Sequence, residues 1–158
     1  MRPPVSSMQT AVRSLKSADD VADFGARIAG RLRPGEAVCL WGPLGAGKTT
    51  LARGLIRALT TADEEVPSPT FTLVQFYEGR APIAHFDLYR LKRPEEAYEL
   101  GLDEVLDEGV AVIEWPERLG GSLPPDRLDI EIAIPEDGRG REVRLRAHGS
   151  WVGRDADL

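Results

Sequence analysis

The segment 42–49, GPLGAGKT, joins closely spaced glycines to a lysine and a hydroxyl residue. It fits the pattern G-x-x-x-x-G-K-[ST], with the apolar run EAVCLW before it and the helical pattern TLARGLIRAL after it. In that context glycines let successive backbone N–H groups converge on a phosphate, Lys48 reaches the β- and γ-phosphates, and the Thr49 hydroxyl ligates Mg²⁺. The segment therefore predicts a P-loop that binds a nucleoside triphosphate together with magnesium.

This loop and the first turn of the following helix supply the predicted nucleotide contacts. The residues are Leu44, Gly45, Ala46, Gly47, Lys48, Thr49 and Thr50. Lys48 is also a predicted catalytic residue and Thr49 a predicted metal ligand, because their side chains reach the phosphates and the ion. A glycine turn with a merely solvated lysine is the alternative, and the flanking strand and helix patterns argue against it.

Two acids stand at the ends of apolar runs. Glu114 ends VAVIE, which is the ordinary context of the acid that holds the magnesium hydration shell, and Asp87 ends PIAHFD. We predict that both are catalytic, with Glu114 a direct or water-bridged metal ligand and Asp87 orienting the attacking water or the lysine. For each acid, a carboxylate that faces only solvent remains the alternative.

The stretch HFDLYR, residues 85–90, occupies the same predicted strand end. Alternation along a strand places His85 on the face of Asp87 and puts Phe86 and Leu88 on the other face. His85 is a candidate catalytic base, although a partly buried histidine hydrogen-bonded to backbone is the commoner case. Arg90 pairs with an acid or meets a partner surface, and the sequence leaves both open.

The elements that must position these side chains follow from periodicity. Helix 17–32 has Ser17 as its N-cap and Asp20 as the capping partner. The other predicted elements are helices at 50–59 and 94–102, strands at 36–41, 71–77, 83–91 and 110–115, and a hairpin of 127–134 with 141–147. This order predicts an α/β, P-loop NTPase-like fold: a central mixed β-sheet flanked by helices, with a C-terminal antiparallel hairpin.

Length and composition limit the function classes. A chain of 158 residues predicts a single domain, 1–158, with segments 1–14 and 150–158 loosely ordered. A net charge of −6 disfavours direct, strong nucleic-acid binding. The sequence has no apolar run long enough to span a membrane and no secretory signal, so we expect a cytoplasmic location. Cys39 stands alone in an apolar run and is expected in the core, and any metal is expected to be oxygen-bound.

Four blocks, GPLGAGKTTLARG, SPTFTLV, HFDLYRL and EWPERL, occur in an order that resembles the TsaE family. Members of that family are small bacterial P-loop ATPases of tRNA threonylcarbamoyladenosine (t6A) synthesis. The resemblance extends from the first helix to the C-terminal hairpin, and the second and third blocks together are close to diagnostic. It implies that Lys48 binds phosphate, that Thr49 and Glu114 serve magnesium, and that Asp87 lies beside the γ-phosphate.

The resemblance implies further site residues. The SPTFT segment is similar to a switch-like loop in which Thr70 approaches the γ-phosphate. Gly140 resembles a family position near the nucleotide base, although a glycine in a hairpin turn is often only a turn residue. Tyr89 and Trp115 are candidates for contact with nucleotide or partner, with core packing equally open.

The function that the resemblance implies is ATP binding and hydrolysis, with Mg²⁺, by an accessory protein of t6A formation at position 37 of tRNA. Its implied partners are TsaB and TsaD, and hydrolysis is expected to be slow without them, because no arginine finger can be assigned from the sequence. A guanine-reading NKxD motif is absent, which favours ATP over GTP.

Two other functions remain open at this point. The first is a small-molecule P-loop kinase, which usually has a mobile arginine-rich lid, whereas the long loop 61–70 is acidic. The second is a nucleotide-sensing interaction module in which hydrolysis is incidental. A kinase would phosphorylate an acceptor, and a sensor would tolerate the loss of Asp87 and Glu114.

Overall fold

A computed structural model describes residues 11–155 and residue 158. The strands are β1 (Ala11–Leu15), β2 (Ala37–Trp41), β3 (Val74–Glu78), β4 (Pro82–Asp87), β5 (Val110–Glu114), β6 (Arg127–Ala133) and β7 (Arg141–His148). The helices are α1 (Ala18–Ala29), α2 (Lys48–Leu59), α3 (Glu95–Glu99) and α4 (Leu102–Glu108), with a 3₁₀ segment at Pro116–Ser122. Within the described residues, no helix is long and apolar enough to cross a membrane.

The strands form one mixed sheet in the order β1-β7-β6-β2-β5-β4-β3. The four central strands, β6, β2, β5 and β4, run parallel to one another. The outer pairs β1 with β7, β7 with β6, and β3 with β4 are antiparallel. The mixed sheet and the C-terminal hairpin predicted from the sequence are thus confirmed. The parallel centre also brings the carboxyl ends of β2, β4 and β5 to the same edge of the sheet.

Helices cover both faces of the sheet. On one face, α1 and α2 pack through Phe24, Ile28, Leu51 and Leu55 against the inward side chains of β2, β5, β6 and β7. On the other face, α3, α4 and the 3₁₀ segment cover β2, β4 and β5. Because β2 and β5 are buried on both faces, their sequences AVCLW and VAVIE are almost entirely apolar. Cys39 is buried in this core, as expected, and burial raises the pKa of its thiol.

Local signals fix several element ends. The Ser17 hydroxyl accepts a hydrogen bond from the Asp20 N–H at 3.1 Å, so the predicted N-cap of α1 is confirmed. The carboxylate of Asp20 accepts in turn from the N–H of Lys16, not of Ser17, at 3.2 Å. Helix α1 ends at Ala29, three residues earlier than predicted, with Gly30 as its C-cap.

Other predicted element bounds also differ from the structure. Strand β3 begins at Val74 and not at residue 71, because a turn closed by Leu73 N–H to Pro69 O at 2.7 Å precedes it. Strand β4 ends at Asp87, where the carboxylate accepts from the N–H of Tyr89 at 3.1 Å and turns the chain. The predicted helix 94–102 corresponds to α3, which ends at Glu99, and Gly101, with a φ of 105°, precedes a further helix, α4, that the sequence did not predict.

Parts of both terminal segments, 1–14 and 150–158, contribute to the sheet or the core. Residues Ala11–Leu15 form β1, which pairs with β7 because AVRSL alternates between inward and outward side chains. At the other end, Trp151 and Leu158 are buried against the same core as α1 and α2. Residues 1–10 and 156–157 lie outside the described part of the chain.

Candidate functional site

The P-loop lies where the carboxyl ends of three parallel strands meet. Leu40 on β2 is in register with Glu114 on β5, and Glu114 is in register with Asp87 on β4. The loop follows β2 directly and ends at the first turn of α2. Both predicted acids therefore stand at the strand ends beside the loop, and neither faces only solvent, since Asp87 is 5% and Glu114 is 2% exposed.

The loop's shape depends on its first glycine. Gly42 has a φ of 147°, and a Cβ atom there would lie 2.5 Å from the carbonyl oxygen of Ile132. Any larger residue would push the start of the loop away from β6. Farther along, Leu44 is exposed at the tip of the loop, while Ala46 is buried. Thr50 lies half-buried in the first turn of α2.

Lys48 is buried at the start of α2, where its ammonium group contacts a backbone carbonyl and an aromatic ring. Its ammonium group donates to the carbonyl oxygen of Gly42 and lies 3.4 Å from the centre of the Trp115 ring. Burial lowers the pKa of Lys48, and the nearby carboxylates of Glu114, Glu117 and Asp87 oppose that shift. A phosphate group bound in the loop would stabilise the charged lysine further, because it adds negative charge in a desolvated place.

Thr49 and Glu114 form the polar centre of the site. The Thr49 hydroxyl lies 2.9 Å from Oε1 and 3.2 Å from Oε2 of Glu114. Within the described residues, no cluster of three or more His, Cys, Asp or Glu side chains could hold a metal ion by itself. The hydroxyl and the carboxylate nevertheless suit magnesium, which prefers oxygen ligands and usually completes its shell with water and substrate phosphates. The donor set therefore fits a nucleotide-dependent magnesium site.

His85 reaches the same carboxylate from the neighbouring strand. Its Nε2 lies 2.6 Å from Oε2 of Glu114, and the imidazole is completely buried. Within the described part of the chain, Nδ1 has no hydrogen-bond partner. Sequence analysis anticipated a histidine bonded to backbone or acting as a base, and it missed the contact with Glu114. The contact could have been predicted from the expectation that His85 and Glu114 lie on adjacent parallel strands with their side chains on the same face. This contact makes His85 a residue that orients Glu114.

Asp87 connects the strand end to the SPTFT segment. Its Oδ2 accepts a hydrogen bond from the Thr70 hydroxyl at 3.2 Å, and Thr70 also lies 2.8 Å from the Ser68 hydroxyl. The structure thus brings the predicted residues Thr70 and Asp87 together. Phe71 follows at once and is 81% exposed, with the Arg90 guanidinium 4.7 Å from the centre of its ring. Arg90 therefore lies against an aromatic ring.

Two aromatic side chains close one side of the site. Trp115 has a φ of 59°, in the left-handed region, and this conformation turns the chain immediately after Glu114. Its ring packs on Tyr89 with a centroid distance of 5.0 Å, and Arg118 lies 5.9 Å from the centre of the Tyr89 ring. Trp115 thus contacts a P-loop side chain, while Tyr89 is 42% exposed.

Gly140 lies in the turn before β7, beside the P-loop. Its φ is 63°, and a Cβ atom there would lie 2.5 Å from the carbonyl oxygen of Leu15, so this turn requires glycine for space as well as for conformation. Gly140 lines a cavity of about 220 Å³ together with residues of 14–16 and 135–142. The next residue, Arg141, hydrogen-bonds to carbonyl oxygens of the P-loop, so the cavity adjoins the loop.

A parallel strand, a glycine-rich loop and a helix that begins with Lys48 and Thr49, opposite an acid on the adjacent strand, define the P-loop NTPase class of α/β folds. Within that class the chain belongs to the TsaE family. The family model described as "Threonylcarbamoyl adenosine biosynthesis protein TsaE" matches residues 15–143.

Curated relatives and a solved structure agree with this assignment. The chain is 41% identical over 131 residues to the tRNA threonylcarbamoyladenosine biosynthesis protein TsaE of Treponema pallidum, covering 82% of this chain and 96% of that one. It is 39% identical over 120 residues to the protein of that name from Bacillus subtilis, covering 75% and 73%. The crystal structure of Bacillus subtilis YdiB is similar with a TM-score of 0.76 and 29% identity, covering 92% of this chain and 90% of that one.

Proposed function

We propose that this protein binds and hydrolyses ATP with Mg²⁺ and that it acts in t6A formation at position 37 of tRNA together with TsaB and TsaD. The observation that carries the proposal is the convergence of Lys48, Thr49, Glu114 and Asp87 at one sheet edge. Its family and the relatives named for t6A biosynthesis support the biological role. That TsaB and TsaD are the partners is proposed from the family resemblance alone.

In the proposed mechanism, the backbone N–H groups of the P-loop and the Lys48 ammonium hold the phosphates of ATP. Thr49 and Glu114 would hold magnesium, with His85 fixing the Glu114 carboxylate through its Nε2 contact. A magnesium ion held there would supply charge neutralisation for the phosphates. Asp87 accepts a hydrogen bond from the attacking water and another from the Thr70 hydroxyl, so Thr70 responds to the γ-phosphate through Asp87.

Three arginine side chains around the site have contacts within this protein. Arg118 lies over Tyr89, Arg90 lies over Phe71, and Arg141 is bonded to loop carbonyl groups. In this conformation none of the three contacts assigns an arginine to the γ-phosphate, which is consistent with an ATPase that is slow in isolation. A protein partner could therefore supply the charge that accelerates hydrolysis.

The test is phosphate release from ATP by the purified protein, alone and with TsaB and TsaD, together with t6A formation on unmodified tRNA. We expect slow release alone, a changed rate with the partners, and sustained t6A formation only when all components are present. A rate that the partners do not change, with no effect on t6A, would contradict the proposed role. Transfer of phosphate to a small acceptor would instead identify a kinase.

Replacing Glu114 by glutamine should raise the Mg²⁺ concentration for half-maximal ATPase activity by about tenfold, because a carboxylate that serves the ion becomes a neutral amide. Activity measured across a Mg²⁺ titration checks this. Glu108→Gln, an exposed acid at the end of α4, is the matched control and should follow the wild-type curve. If Glu114→Gln also follows that curve, Glu114 does not serve magnesium, and Asp87 becomes the candidate for that function.

Chymotrypsin should cleave after Phe71 more slowly with a non-hydrolysable ATP analogue than with ADP. Phe71 is exposed and follows Thr70, whose bond to Asp87 should tighten when the γ-phosphate is present. Time courses resolved by mass spectrometry provide the measurement, and cleavage after Phe76 in β3 provides an internal reference. Equal cleavage after Phe71 with both nucleotides would exclude a switch in this loop.

A further inference from the structure

Arg141, the first residue of β7, makes two hydrogen bonds to the P-loop across more than ninety residues of sequence. Its Nε donates to the carbonyl oxygen of Ala46 at 2.8 Å, and one terminal nitrogen donates to the carbonyl oxygen of Gly45 at 3.1 Å. The other terminal nitrogen donates to the carbonyl oxygen of Gly140. The planar guanidinium therefore holds two successive loop carbonyl groups and the turn before β7 at once.

These bonds determine which way the loop's peptide groups point. A carbonyl and the N–H of the next residue belong to one planar unit and point in opposite directions. Fixing the carbonyl groups of Gly45 and Ala46 toward Arg141 therefore directs the N–H groups of Ala46 and Gly47 away from it. The N–H of Ala46 is thus directed away from Arg141, and in this conformation it is paired within the loop with the carbonyl oxygen of Pro43 at 3.2 Å.

The orientation matters for anion binding. A P-loop binds phosphate through inward N–H groups, and a carbonyl group turned inward would repel the anion. Glycines make the loop flexible enough to adopt either orientation, so an external contact is needed to select one. The positive charge of Arg141 behind the loop also favours a bound anion, as do the fixed charges of other phosphate sites.

We infer that Arg141 is a positioning residue for nucleotide binding: it holds the P-loop carbonyl groups outward and so prepares the phosphate cradle. The inference rests on the proposed function, because it concerns the same nucleotide site. It assigns Arg141 to the phosphates and not to the base, although the adjacent Gly140 lines the neighbouring cavity.

The experiment compares ATP with inorganic tripolyphosphate, which lacks base and ribose. Both are measured by displacement of a fluorescent ATP analogue from the wild type, Arg141→Gln and Arg141→Lys, with the analogue's affinity for each protein determined first. Arg141→Gln should weaken ATP and tripolyphosphate alike, by about tenfold. Arg141→Lys should recover part of both affinities, because it keeps the charge but loses the two-point contact.

Arg80→Gln is the matched control. Arg80 also donates to a backbone carbonyl, that of Ala29 at 3.2 Å, but it lies in the turn between β3 and β4. This variant loses the same charge and the same kind of bond, so its ligand affinities should equal those of the wild type. Thermal midpoints of all variants separate a loss of binding from a loss of folding.

The possible results are distinct. Wild-type tripolyphosphate affinity in Arg141→Gln would overturn the inference, and so would a loss of ATP affinity alone, which would assign Arg141 to the base. Partial recovery of both affinities in Arg141→Lys, with both variants folded, is the result that supports the inference. If the wild type binds no ATP analogue, the proposed function fails and the inference fails with it.

Discussion

Replacing Lys48 by methionine should weaken ATP binding by about a hundredfold while leaving the protein at least as stable as the wild type. The affinity falls because the Lys48 ammonium group is the cation at the end of the P-loop, where the proposed function places the phosphates. Stability does not fall, because burial lowers the pKa of Lys48, so folding favours its neutral form. At neutral pH the unfolded lysine is protonated and the shift costs stability, a cost that disappears as the pH rises through the ordinary value of 10.5.

Calorimetric titration with ATP and a thermal melt measure both effects. Methionine retains the length of the side chain and its packing on Trp115, so the comparison isolates the ammonium group, that is, its charge and its bond to the carbonyl oxygen of Gly42. Lys92→Met, an exposed lysine after β4, is the matched control and should bind ATP as the wild type does. An unchanged ATP affinity in Lys48→Met would refute the P-loop assignment.

Asp87→Asn should reduce the turnover rate by about a thousandfold, with ATP affinity changed by no more than about threefold. The amide can still accept the bond from the N–H of Tyr89, so the turn after β4 is retained. What is lost is the negative charge that accepts from Thr70 and, in the proposed mechanism, from the attacking water. Single-turnover hydrolysis with saturating ATP separates this chemical effect from binding.

The control for Asp87 is Asp107→Asn, an exposed carboxylate on α4 that is remote in sequence from the loop. It should hydrolyse ATP at the wild-type rate. If Asp87→Asn also does so, the residue serves the fold through the turn at Tyr89, and Glu114 becomes the candidate for positioning the water. Both variants should then be compared in t6A formation, since a pure nucleotide sensor would tolerate the loss of Asp87.

Those parts of the site that depend on local pattern were predictable from the sequence. The loop at 42–49 is defined by glycine spacing, and apolar runs ending in Glu114 and Asp87 predict parallel strands whose ends meet beside it. Parallel strands with carboxyl ends at one edge bring such residues together without any knowledge of the exact register. The mixed sheet and the C-terminal hairpin could be predicted for the same reason.

Contacts that depend on register or on unusual backbone could not be predicted in this way. The bond between His85 and Glu114 requires two particular strands to be neighbours, and the bond between Arg141 and Ala46 joins distant parts of the chain. The left-handed conformation of Trp115 could not be predicted, because a residue with a side chain rarely adopts it and no glycine marks the position. Helix α4 was missed because its seven residues are too few to show a convincing period.

The cavity beside the P-loop takes its walls from both ends of the chain, residues 14–16 from the start and 135–142 from near the end. Because β1 pairs with β7, this cavity can form only after residues 141–148 have been synthesised. The glycine-rich loop and its helix emerge much earlier, yet their bonds from Arg141 can form only at that late stage. If Arg141 orients the loop as inferred, the cradle for phosphate is therefore complete only when β7 has joined the sheet.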